Sequence, residues 1–128
     1  MKVDIKKTKH YYDNYDDVCD CNACKYYTEN VAEKFPNLKD FLESIGADIT
    51  KPFDTSWIND DNHIIYLSVQ YVIFGNWGEE DKINFDEFVI TKSDNHPNTN
   101  IKDDHFVLHI ERFVFEFNDG KEPNKWIN

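Results

Sequence analysis

Apolar positions change period near residue 50 of this chain. Upstream they recur every three or four residues, as on a helix; downstream they alternate, as on a strand. Tyr11, Tyr15 and Val18 have helical spacing, so a short amphipathic helix is expected within 11–18. From Asn22 the stripe is longer: Cys24, Tyr27, Val31 and Phe35 share one face, and Pro36 stops the run. Leu38, Phe41, Leu42 and Ile45 give the i, i+3, i+4, i+7 pattern of a second helix over 37–45. Gly46 is placed to take the left-handed conformation that ends it. Both stripes are read as core packing.

The stretch His63–Phe74 alternates, which puts Ile65, Leu67, Val69, Tyr71 and Ile73 on one face of a long strand. Phe53–Ile58 is its candidate hairpin partner, across a polar turn at Asn59–Asn62. Ile83–Thr91 is a further β segment, and Ser93–Asp104 reads as loop. In His105–Phe117, Phe106, Leu108 and Ile110 have one parity, while Phe113, Phe115 and Phe117 have the other. A bulge or bend at Glu111–Arg112 would reconcile them, because one extra residue flips every later side chain. Asn118-Asp119-Gly120 ends that strand. Helices first and strands later predict an α+β domain, with N-terminal short helices packed on a mostly antiparallel sheet formed by the C-terminal two thirds. With 128 residues and no linker or repeat, one domain over 1–128 is expected.

Charge narrows the partners. The net charge is −11, so the field disfavours nucleic acid and anionic membranes and suits a basic protein partner. The 40% apolar and 16% aromatic content is too high for a disordered chain. No apolar region follows the basic start, and 63–74 is shorter than the about 20 apolar residues of a membrane span. A cytoplasmic protein with reduced cysteines is therefore expected.

All three cysteines fall in the run Cys19-Asp20-Cys21-Asn22-Ala23-Cys24. Two lie one residue apart, an awkward geometry for a disulfide. Thiolates this close can converge on one soft metal ion, zinc by default. A fourth ligand is then needed: His10 is the candidate, with Asp17 and Asp20 as weaker ones. A redox reading uses Cys21 and Cys24 at a helix N-terminus, where amide N–H groups stabilise a thiolate. Nearby Asp16, Asp17 and Asp20 oppose it. The third reading is that Cys24 packs in the core and the other two are inert.

Elsewhere the chemistry is sparse. His105, His109 and Glu111 share a parity on the last strand; His109 and Glu111, about 7 Å apart along it, could share a ligand, but a solvated sheet face explains them too. His63 and His96 read as turn and loop. Ser44, Ser56, Ser68 and Ser93 have no adjacent signal of a nucleophile. With 4 glycines a phosphate cradle is not expected.

Cys19-x-Cys21-x-x-Cys24, then Phe41-Leu42, Ile45-Gly46, Asp48, Lys51-Pro52 and the strand end Tyr71-Val72-x-x-Gly75 form a recognisable series. It resembles a small bacterial family with a Cys-rich turn followed by an FL-x-x-LG-x-D-x-x-KP stretch and an aromatic strand ending in Gly. The resemblance covers about residues 11–75. It implies a shared fold core and a shared Cys turn, and transfers no reaction. Three functions follow. The first is a binding protein, of the immunity or antitoxin kind that meets a basic partner, with zinc at the Cys turn. The second is a thiol- or metal-dependent enzyme using Cys19, Cys21 and Cys24. The third is a small-ligand binder lined by Trp57, Tyr66, Tyr71 and Trp77.

Overall fold

A computed structural model describes residues 1–60 and 62–116 of the chain. In chain order the elements are β1 (Lys2–Val3), α1 (Ile5–Asn14), α2 (Asn22–Lys34), α3 (Pro36–Ser44), β2 (Asp54–Asn59), β3 (His63–Asn76), β4 (Ile83–Phe85), β5 (Phe88–Lys92), β6 (His105–Glu111) and β7 (Phe113–Glu116). The architecture is α+β, with the helices N-terminal and an antiparallel sheet formed by the later part of the chain.

Local chemistry explains the helix limits. Asp4 caps α1, its carboxylate accepting the Lys7 amide at 3.0 Å. The helix therefore starts earlier than the tyrosine spacing suggests. It ends before Tyr15, whose backbone is extended, so Val18 is not part of it. Thr8 and Tyr12 make its buried stripe. Pro36 closes α2 and opens α3 at a position where its missing N–H costs nothing. Two bonds terminate α3, Gly46 N–H to the Glu43 carbonyl at 3.0 Å and Ala47 N–H to the Leu42 carbonyl at 2.9 Å. This is the Schellman pattern, and Gly46 sits at φ +90 as it requires.

β3 is the spine of the sheet. β2 and β1 pair with one of its edges, and β6 and β7 with the other; β5 then joins β6, and β4 joins β5. The expected segment at 83–91 is thus a hairpin of two strands, turning at Asp86. The expected face of β3 is corrected halfway along. Ser56 pairs with Ser68 but Trp57 with Tyr66, so Leu67 is an extra residue. The buried set is Ile64 and Tyr66 before it and Val69, Tyr71 and Ile73 after it, while Ile65 and Leu67 are only partly buried. The parity switch at Glu111–Arg112 answers this bulge: Phe106, Leu108 and Ile110 of β6 and Phe113 and Phe115 of β7 enter the same core. Two compensating offsets keep one face apolar along the whole spine. Phe117 and the Asn118-Asp119-Gly120 turn lie outside the described residues.

Four tyrosines fasten the helices to β3. Tyr12 donates to the Val72 carbonyl at 2.8 Å and Tyr66 to the Ala23 carbonyl at 2.5 Å. Tyr71 donates to the Ile49 carbonyl at 2.6 Å, so the 2.6 Å contact between the two hydroxyls has Tyr27 donating to Tyr71. Each phenol thus buries its ring and keeps its hydroxyl bonded. On the opposite sheet face, Val72, Phe74 and Val107 are covered by Tyr11, Phe53 and Ile101.

Candidate metal centre

The first turn of α2 positions the cysteines. Cys21 is the N-cap residue: its carbonyl takes the first helical bond from Lys25 at 2.9 Å, and its sulfur accepts the Cys24 amide at 3.5 Å. Cys24 lies inside the helix and is 3% exposed. Its sulfur is 3.3 Å from the Thr55 hydroxyl of β2. The Tyr66 bond to the Ala23 carbonyl holds this turn against the sheet. Cys19 and Cys21 are exposed, and all three thiols are free.

The three sulfurs lie within 4.8 Å of one another. In a tetrahedral zinc site with bonds of about 2.3 Å, sulfurs stand about 3.8 Å apart. Side-chain rotation of about 1 Å therefore separates this triad from a ligand set. The His10 side chain is exposed on α1 and is not part of the group, and neither Asp17 nor Asp20 completes it. Instead, the sulfurs open on a cleft of about 600 Å³ whose lining includes Asp17, Asp20, Asp54, Phe53 and Trp57.

The thiols differ electrostatically. Burial pushes the Cys24 thiol up to about 12, partly offset by the Thr55 hydroxyl and reinforced by the neighbouring thiols. Burial also raises Cys21, but the Cys24 amide, the thiols of Cys19 and Cys24, and the Ala23 amide outweigh it. Cys21 is held below the ordinary thiol range.

The other sequence candidates separate. Tyr66, Tyr71 and Trp77 are core residues, and of the expected aromatic quartet Trp57 alone lines this cleft. His63 packs its Nδ1 3.0 Å from Asp60 in a turn, and His96 lies 2.8 Å from the Pro97 carbonyl in the loop. His105 stands 2.8 Å from Thr99. His109 and Glu111 do meet, at 3.0 Å. Ser68 also reaches His109, at 3.0 Å, a contact the sequence reading missed. Regular alternation from Ser68 onward sets Ser68 with Gln70 on that face, and its sequence trace is this polar pair interrupting an apolar strand. Among the described residues no helix is long and apolar enough to cross a membrane. Comparison with protein-family models, curated proteins and solved structures gives no match to this chain.

Proposed function

We propose that this is a small binding protein whose Cys19–Cys21–Cys24 turn holds one zinc ion and whose acidic surface receives a basic protein. The single observation that carries the reading is the convergence of the three sulfurs within 4.8 Å. A divalent ion would replace the thiol protons, overcoming the burial that keeps Cys24 neutral. Cys19 lies before α2 and Cys21 and Cys24 begin it, so the ion would tie the 15–20 segment to the helix. With three protein ligands, the fourth position falls to water or to a donor entering the cleft. The −11 charge and the aspartates around the cleft favour a cationic partner there. Kinship with the small bacterial family of the same Cys turn would extend the site to its members.

A second reading, a dithiol enzyme, is favoured by the asymmetry between exposed Cys21 and buried Cys24. Thermal unfolding separates the two. Zinc at 100 times its dissociation constant should stabilise the wild type by about 2.7 kcal/mol, a rise on the order of 8 °C in Tm at this size. Cys21→Ser/Cys24→Ser should show no such rise. A wild-type Tm indifferent to zinc, with fast alkylation of Cys21 and slow alkylation of Cys24, would favour the dithiol instead.

A further inference from the structure

The sheet face that bears Val72 and Val107 carries a second constellation, which uses none of the cysteines. Register places Asp54, Gln70, His109 and Thr91 in one row across β2, β3, β6 and β5. Ser68 lies two residues along β3 from Gln70 on the same face. His109 is the centre of a hydrogen-bonded chain, with Nδ1 3.0 Å from Ser68 Oγ and Nε2 3.0 Å from Glu111 Oε1.

The protons in this chain follow from elementary chemistry. An ionised carboxylate only accepts, so Nε2 carries the imidazole hydrogen. In the neutral imidazole Nδ1 is then a bare lone pair, which accepts the Ser68 hydroxyl hydrogen. A hydroxyl that donates to an imidazole, itself oriented by a carboxylate, is the arrangement of an activated nucleophile.

The surroundings form a site. Above the chain is a cleft of about 410 Å³ in which every lining side chain is polar. Gln70, 5% exposed, lines it. Its amide nitrogen donates to Ser93 Oγ at 3.0 Å and to the Asn95 carbonyl at 3.3 Å, which fixes the 93–95 wall. Its Oε1 is buried with no hydrogen-bond partner. A buried acceptor left unpaired is unfavourable, and an N–H or O–H group of a ligand would satisfy it. Ser56, directly across from Ser68, and Thr91, directly across from His109, are hydroxyl donors beside the same point.

We propose that Ser68, with His109 as base and Glu111 as positioning residue, is an acyl-accepting nucleophile for short polar esters. The absence of apolar lining selects against long acyl chains. Ser68 Oγ would bond to the ester carbonyl carbon while its proton passes to His109 Nδ1. The bond to the leaving alcohol then breaks, and that alcohol takes the proton. Water attacks the acyl-serine, giving a proton through His109 back to Ser68 Oγ and releasing the carboxylic acid.

The test is covalent labelling with a small alkyl fluorophosphonate, located by peptide mass spectrometry, on the full chain. Label on Ser68 is expected, absent in Ser68→Ala and slowed by about 100-fold in His109→Gln, the scale of a lost general base. An unlabelled Ser68, or an unchanged rate in His109→Gln, overturns the proposal. Imidazole ¹⁵N shifts of the wild type keep it testable if a variant fails to fold. Hydrogen on Nε2 of His109 is expected; hydrogen on Nδ1 removes the acceptor for Ser68 and ends the argument.

Discussion

Tyr71→Phe is expected to destabilise the fold by about 2–4 kcal/mol, and Tyr27→Phe by about 1 kcal/mol. The rings are fully buried and the lost atom is the same, so the difference lies in what each deletion strands. Tyr71 donates to the Ile49 carbonyl and accepts from Tyr27. Removing its hydroxyl leaves a buried carbonyl and a buried phenol without partners. Removing the Tyr27 hydroxyl leaves Tyr71 still donating to Ile49. The double variant should cost no more than Tyr71→Phe alone, because Tyr27 then has no hydroxyl to strand. Denaturant unfolding of the three variants measures this; equal costs for the two single changes would contradict the donor order. The same phenols set an alkaline limit. Burial raises Tyr12, Tyr27, Tyr66 and Tyr71 above their ordinary value of 10.0. Above about pH 10 the unfolded chain sheds these protons and the native protein keeps them. Their contribution to stability is therefore fully present below that pH and lost as pH rises beyond it.

Gly75→Ala is expected to cost at least about 2 kcal/mol and to release β1. Gly75 sits at φ +131, and an added Cβ would stand 2.0 Å from the Lys2 carbonyl oxygen. That oxygen belongs to the backbone of β1, which pairs Lys2 with Asn76 and Val3 with Gly75, so no side chain can rotate away. Gly78→Ala is the control. Its φ is +89, but its Cβ would meet only the Met1 nitrogen, at 3.7 Å, so it should cost about 1 kcal/mol of backbone strain. Hydrogen exchange should show the Asp4 amide, bonded to the Phe74 carbonyl at 2.9 Å, losing protection in Gly75→Ala and keeping it in Gly78→Ala. Equal protection in both would mean that β1 is not held by close approach at Gly75.

The parts of this fold that sequence shows are those where one face alone must be buried. Val31 and Leu42 announce α2 and α3 because helical stripes repeat without interruption, and Pro36 and Gly46 mark the ends by backbone chemistry. The switch after Ile110 was also readable, since three aromatic residues of the wrong parity are costly to expose. Its counterpart at Leu67 was hidden. Ile65 and Leu67 are as apolar as Ile64 and Tyr66, so either register buries apolar surface, and pairing with β2 decides. The early start of α1 depends on Asp4, which caps a helix whose apolar stripe is weak. For the site, the cysteine spacing already placed three sulfurs near one helix start, whereas His10 offered proximity in sequence without proximity of side chains. The polar interruption at Ser68 and Gln70 marked a face of β3, but pairing Ser68 with His109 needed both strands aligned.

Zinc at the cysteine turn is tested by native mass spectrometry of the full chain purified without chelators, beside Cys19→Ser and Cys21→Ser/Cys24→Ser. One zinc per wild-type chain is expected, with weakened retention in Cys19→Ser and none in the double variant. A wild type that emerges metal-free and takes up no zinc on titration would contradict it.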